Sequence, residues 1–199
     1  MNGHFIVFEG LDGVGKSTQI RLLQQWLREQ GYDVLTTREP GGVPISEQIR
    51  EIILSIGNTD MDPVAECYLY AAARAQHVRQ LILPALSKGK VVLCDRYLAS
   101  SIAYQGYARG LGKDMVMNIN REAISGVLPN LTIFLDMPFD EGRIRGKKDR
   151  LENSGGAFYD RVYQGYLEQY DTGHVVDATQ SIELIAQQIQ DYTRELLHE

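Results

Sequence analysis

Apolar positions follow two rhythms along this chain. Short continuous runs, Phe5-Ile6-Val7-Phe8, Val91-Val92-Leu93-Cys94 and Leu131-Thr132-Ile133-Phe134-Leu135, have the length and composition of strands buried on both faces. Tyr32 to Thr37 and His174 to Asp177 are weaker runs of the same kind. Between these runs, apolar residues recur at three- and four-residue spacing. Ile20, Leu23, Trp26 and Leu27 mark a helix over 18–30 that Gly31 stops. Ile45, Ile49, Ile52 and Ile53 give a short helix over 46–54 its apolar side. Asp62 as N-cap and Pro63 at the first helical position open a longer helix that runs to about Ser87, with a kink expected near Pro84. Gly106, Gly110 and Gly112 mark a loop. Further helices are predicted over 114–125, from Pro138, over 158–170 and over 181–197. In the last of these, Ile182, Ile185, Ile189, Tyr192 and Leu196 form a core-facing stripe. Five strands alternating with helices predict an α/β fold with a five-stranded parallel sheet flanked by helices.

The first strand runs into Gly10-Leu11-Asp12-Gly13-Val14-Gly15-Lys16-Ser17, which fits G-x-x-x-x-G-K-[ST]. Such a match arises by accident in on the order of one chain in a hundred of this length. A strand before it and a helix after it make accident rarer still. Glycines let the backbone curl until several N–H groups face one anion, and the helix adds its free N-terminal N–H groups and dipole. Gly10, Asp12, Gly13, Val14, Gly15, Lys16, Ser17 and Thr18 are therefore the candidate contacts to the phosphates of a nucleotide. Lys16 reaches the β- and γ-phosphates in this reading, and the Ser17 hydroxyl holds Mg²⁺.

Other chemistry gathers where strands end. The loop 38–44, rich in glycine and proline, follows the second strand, where an α/β sheet places its ligand. Arg38 and Glu39 there read equally as ligand groups or as parts of a connection. Tyr70 and Arg74 stand four residues apart on one helix face. They suit stacking on a base and reading its edge, but spacing alone also fits a core tyrosine and a surface arginine. Asp95 ends an apolar strand, the position of a carboxylate that supports Mg²⁺ or its water shell. Arg96 next to it suits a second anionic group, with Ser100, Ser101, Tyr104 and Gln105 on the helical turn beyond. Arg143 to Arg150 holds five basic residues in eight. It reads as a solvated basic loop or as a mobile lid over 142–156, and the phosphate loop in the same chain favours the lid.

The totals narrow the partners. With 20 basic and 26 acidic residues, the net charge of −6 gives no overall basic field for nucleic acid, so the cations needed by an anionic ligand must be local. Cys67 and Cys94, in apolar surroundings, read as buried thiols rather than a disulfide or metal pair. No apolar run approaches membrane-spanning length, and the run at the start is short for a secretory signal. A single cytoplasmic domain of 199 residues is expected.

These segments together resemble the thymidylate kinase family, in its bacterial branch. The marks are Phe8-Glu9-Gly10-Leu11-Asp12-Gly13 with Gly15-Lys16-Ser17, then Thr37-Arg38-Glu39-Pro40-Gly41-Gly42, and Ala72-Ala73-Arg74. Asp95-Arg96-Tyr97 with Ser101, Tyr104, Gln105 and Gly106 follows, then Arg143-Ile144-Arg145-Gly146, Asp149-Arg150-Leu151-Glu152 and Asp177-Ala178-Thr179. The resemblance covers nearly the whole chain. It implies a P-loop nucleoside monophosphate kinase fold, ATP as phosphoryl donor, dTMP as acceptor, Mg²⁺ and a homodimer. It implies that Arg96 binds the dTMP phosphate and that Tyr70 stacks on thymine. Arg74, Ser101 and Gln105 then read the base edge, with Ser100 beside them. Tyr104 packs where a 2′-hydroxyl would project, and Arg50 lies at the base or phosphate end. Asp12 and Glu39 lie near the acceptor or the water shell of Mg²⁺, which Ser17, Asp95 and Glu152 support. Asp177 to Gln180 border the adenine. The eukaryotic branch carries an arginine inside the phosphate loop where this chain has Gly13. The transfer step is therefore expected to use Lys16, Arg96, Asp12 and the lid arginines Arg143, Arg145 and Arg150. A guanine-specific switch would carry an Asn-Lys-x-Asp segment, and the sequence has none.

Overall fold

A computed structural model of the chain describes residues 3–138, 150–151 and 155–198. Its strands are β1 (His4–Glu9), β2 (Val34–Arg38), β3 (Val91–Asp95), β4 (Leu131–Asp136) and β5 (His174–Asp177). They form one parallel sheet in the order β2-β3-β1-β4-β5. Alternate residues feed two cores. Ile6 and Phe8 of β1 and Leu93 of β3 pack on one face, while Phe5, Val7, Val92 and Cys94 pack on the other. The first core is closed by α1 (Lys16–Glu29), α7 (Gly156–Leu167) and α8 (Ile182–His198). The second is closed by α3 (Pro63–His77) with its continuation, and by α6 (Lys113–Ile124). Burial on both faces is why these strands read as near-continuous apolar runs.

The predicted strands are all present, with β2 ending one residue later, so Arg38 belongs to the strand. Several helix expectations need correction. α2 runs from Pro44 to Leu54, because proline at a first helical position loses no hydrogen bond the helix needs. Its buried residues are Ser46 and Ile53, while Ile45 and Ile52 face solvent. The helix opened by Pro63 passes through a π-helical turn, Val78–Ile82, before α4 (Leu83–Ser87). That wider turn just precedes Pro84, which has no N–H to give. After α5 (Leu98–Ser101), a second π-helical segment, Ile102–Ala108, contains Gly106, so only Gly110 and Gly112 of the expected loop glycines lie in the loop. α7 ends at Leu167, and Ile182 at the start of α8 is half exposed while Ile185 and Ile189 are buried. Asp62 caps α3 as expected, accepting from the Val64 and Ala65 N–H groups. Cys67 and Cys94 are buried free thiols, and burial pushes Cys67 up to about 11. The helix expected from Pro138, most of the segment 142–156, and with it Arg143, Arg145 and Glu152, lie outside the described residues.

Candidate active site

The order of the sheet sets the place of the site. β1 leads to β2 on one side, and β3 crosses to β4 on the other, so the chain reverses between the carboxyl ends of β1 and β3. The phosphate loop leaves β1 there, and Asp95 and Arg96 leave β3 beside it, with Phe8 paired to Asp95. A cavity of about 690 Å³ opens at this point. Its wall includes Asp12, Gly13, Gly15, Lys16, Ser17 and Thr18 from the loop and the start of α1. Glu39, Arg50, Tyr70, Arg74, Asp95, Arg96, Ser100, Ser101, Tyr104 and Gln105 share it with Arg38, Pro40, Leu54, Tyr97 and Leu151. Residues far apart in sequence therefore share one wall, as the sequence reading expected.

Backbone geometry explains the loop. Gly10, Gly13 and Gly15 have φ of 132°, 78° and 98°, the region that favours glycine. A Cβ on Gly10 would stand 2.5 Å from the Leu135 carbonyl oxygen, whereas one on Gly15 would meet nothing within 4 Å. Gly10 thus serves packing against β4, and Gly15 lets the chain turn into α1. The first intrahelical bond runs from Gln19 N–H to the Gly15 carbonyl. The N–H groups before it have no helical partner and are free for an anion. Val14 differs from its neighbours, since its side chain is buried in the core beside Leu11 and does not line the cavity.

Charges in the site are held before any ligand arrives. Lys16, buried, donates to the Gly10 and Leu11 carbonyls at 3.1 and 2.7 Å. Burial and then Arg96 hold its ammonium below the usual lysine range. Arg96 donates to Asp12 Oδ1 at 2.7 Å, to Tyr166 Oη at 2.7 Å and to Ser100 Oγ at 3.2 Å, and lies over the Tyr104 ring. Burial raises the Asp12 carboxyl, but Arg96 and Lys16, with hydrogen bonds from Arg96 and Tyr104, outweigh it and hold the group well below the usual carboxylate range. Beneath them, Glu9 accepts from the Tyr97 and Ser100 N–H groups and from Ser100 Oγ. Its burial pushes its carboxyl up, against the pull of Ser100 and Arg96.

The end of the cavity at Arg74 is equally ordered. Arg74 is only 2% exposed, so the surface reading of that residue is excluded. Its Nε donates to Glu39 Oε2 at 2.7 Å, Nη2 to the Tyr97 carbonyl and Ser101 Oγ, and Nη1 to Asn120 Oδ1. Glu39 gives its other oxygen to His77 Nδ1 at 2.9 Å, so both its oxygens are engaged in holding the guanidinium and imidazole. Arg50 donates to the Pro40 carbonyl at 2.9 Å. Arg38 pairs with Glu47 on the exposed side.

Arg150 stands apart from its expected place. It is buried, its Nε donates to the Ile53 carbonyl at 2.8 Å, and its Nη2 donates to Glu66 Oε2 at 2.6 Å. It does not line the cavity. The reason is Glu66, a fully buried carboxylate that needs cations around it.

The donor set can be tested against Mg²⁺. Asp95 lines the cavity, and its Oδ1 is buried with no hydrogen-bond partner among the described residues. The Ser17 hydroxyl lines the same cavity. Oxygen donors, few in number, suit a hard cation that takes most of its shell from phosphate and water. Among the described residues no three His, Cys, Asp or Glu side chains form a fuller metal cluster.

The sequence reading passed over Glu9, Glu66, His77, Asn120 and Tyr166. Glu9 had a signal, since it ends an apolar strand directly before the phosphate loop. The others lay in ordinary helical patterns, and the charged or polar partners that give them their place stand 38 to 157 positions away.

Comparison with known proteins agrees with this geometry. The thymidylate kinase family model matches residues 8–189. The chain is 46% identical to a thymidylate kinase of Bacillus licheniformis, with 100% of this chain and 99% of that one covered. It is 50% identical to that of Finegoldia magna over 90% of this chain and 92% of the other. The crystal structure of thymidylate kinase from Ehrlichia chaffeensis superposes with a TM-score of 0.79 at 31% identity, covering 96% of this chain and 98% of that one. The chain belongs to the thymidylate kinase family.

Proposed function

We propose that the chain transfers the γ-phosphoryl group of ATP to dTMP, giving dTDP and ADP for dTTP synthesis. One observation carries this reading: a single cavity joins the phosphate loop to Tyr70, Arg74, Ser101 and Gln105 through Arg96. It offers a phosphate-binding end, a second anion site and a polar, aromatic end suited to a base.

An acceptor phosphate oxygen attacks the γ-phosphorus as the bond to the β–γ bridging oxygen breaks, and ADP leaves. That oxygen is already a nucleophile, so no strong base is needed, and alignment and charge stabilisation carry the rate. Lys16 and the N–H groups that open α1 hold the donor phosphates. Arg96 holds the acceptor phosphate, exchanging its Asp12 contact for it. Tyr70 stacks on the base, Arg74 and Gln105 read its edge, and Tyr104 leaves no room for a 2′-hydroxyl. Ser17 and Asp95 would hold Mg²⁺, with Glu152 contributing, and the ion would neutralise charge between the β- and γ-phosphates. Arg143 and Arg145 supply transition-state charge that Gly13 cannot, and the basic segment acts as a lid in a single-domain kinase.

A second copy of the chain completes the proposal. Ile45, Ile52 and Ile56, from α2 and just beyond it, and Tyr68 of α3 are each about half exposed, an apolar surface that a homodimer would cover. Cytoplasmic residence is proposed from the buried free thiols. No helix among the described residues is long and apolar enough to cross a membrane. Comparing dTMP, dUMP, CMP and AMP as acceptors with ATP tests the assignment. We expect kcat/KM to be highest for dTMP; preference for CMP or AMP would refute it.

A further inference from the structure

Glu66 of α3 is fully buried, yet four donor groups meet on its carboxylate. Arg150 Nη2 lies 2.6 Å from Oε2, and Arg109 reaches Oε2 at 3.2 Å and Oε1 at 3.4 Å. Gln105 Nε2 donates to Oε1 at 2.8 Å. With two guanidinium groups against it, this carboxylate only accepts hydrogen bonds. The amide of Gln105 must therefore turn its NH₂ toward Glu66. Its carbonyl oxygen, Oε1, is left buried without a partner among the described residues, on a side chain that lines the cavity. A buried orphan acceptor of this kind is costly unless a ligand donor meets it.

The geometry points to Glu66 as the positioning residue that sets which pyrimidine the site accepts, by fixing the Gln105 amide with its oxygen toward the base. This rests on the dTMP kinase reading above. Thymine and uracil present N3–H to such an oxygen, beside a 4-carbonyl that takes a hydrogen bond from Arg74. Cytosine presents a lone pair at N3 and an amino group at position 4, so acceptor faces acceptor and donor faces donor. Sites that leave buried polar groups unpaired against the wrong substrate discriminate by about 10⁴-fold. Without Glu66 the amide is free to turn over and offer its NH₂ to cytosine N3. Glu66 has no contact with substrate in this scheme and acts through Gln105. The same carboxylate holds Arg150, whose backbone N–H and Nε donate to the carbonyls of Leu54 and Ile53, so it also ties α2 to the base pocket.

The test is kcat/KM for dTMP and for dCMP, with KM for ATP, in the unaltered protein, Glu66→Gln and Glu66→Asp. A ratio of two substrates on one preparation does not depend on the folded fraction. The unaltered protein should favour dTMP over dCMP by about 10³-fold or more. Glu66→Gln should lower that ratio at least tenfold, mainly through KM for dTMP, with KM for ATP unchanged. Glu66→Asp keeps a charge for the two arginines while drawing back from Gln105, and should lower the ratio as well. It gives the answer if Glu66→Gln does not fold. A merely structural role would reduce both acceptors in proportion, and an unchanged ratio in the soluble variants overturns the inference while leaving the kinase reading intact. Failure of the unaltered protein to phosphorylate dTMP would overturn that reading and this inference with it.

Discussion

Arg96 adopts φ of 71°, a conformation that side chains other than glycine enter at a cost of about 1–2 kcal/mol. Its backbone N–H donates to the Phe8 carbonyl, and its guanidinium is fixed by Asp12, Ser100 and Tyr166. Strain held this firmly beside a phosphate loop belongs to pre-organisation. A planar, bidentate donor is what the proposed acceptor phosphate requires, and lysine at this position is not equivalent. We expect Arg96→Lys to raise KM for dTMP at least tenfold and lower kcat as well, read by steady-state kinetics. Asp12 gives a pH prediction. Its folded carboxyl titrates below the 3.8 of an unperturbed group, so the unfolded chain takes up the proton first. The pair therefore contributes stability above about pH 4 that is lost as pH falls below it. Asp12 is 36% exposed, so solvent screens the effect. Urea midpoints of Asp12→Asn and the unaltered protein should differ at pH 7 and converge toward pH 2. At this scale the sequence was legible where a polar residue interrupted a pattern, as Asp95, Arg96 and the loop did. It was silent on Glu66 and Asn120, because their partners come from other elements.

Elements were legible where burial wrote a simple period. The strands buried on both faces, β1, β3 and β4, emerged within one residue of their predicted ends. The two π-helical segments did not, since their wider turns leave no distinct spacing over five to seven residues. The second of them has a clear function in packing. It carries Tyr104 and Gln105 while α7 lies against it, and the two approach closely at Gly165. A Cβ there would stand 2.8 Å from Ala103 Cα and 2.9 Å from Tyr107 Cβ. Overpacking of this kind costs about 1–3 kcal/mol. Gly165→Ala should therefore lower the unfolding free energy by that amount, read as a lower urea midpoint, and should weaken dTMP binding more than ATP binding, because the displaced segment bears the proposed base-reading residues. An unshifted midpoint would mean that the two elements are not packed this closely.

The molecule as a whole is acidic, yet its proposed reaction brings two anionic nucleotides together. Local cations must overcome a net charge of −6. Lys16 and Arg96 lie at the cavity, while Arg150 pairs with the buried Glu66. We propose that Arg143 and Arg145 supply the transition-state charge. A transition-state arginine contributes about 10³ to 10⁵ in rate. Removing the dominant one should lower kcat by that order with a smaller change in KM for dTMP; if Arg143→Ala and Arg145→Ala both keep full kcat, the assignment fails. Sedimentation of the protein and of Ile52→Asp tests the second copy, with a dimer expected for the first and a monomer for the second. The most direct test of the whole account mixes the pure protein with ATP and Mg²⁺ and follows ADP release with and without dTMP. The account predicts rapid release only when dTMP is present, matched mole for mole by dTDP. Release at the same rate without an acceptor, or none with dTMP, would contradict it.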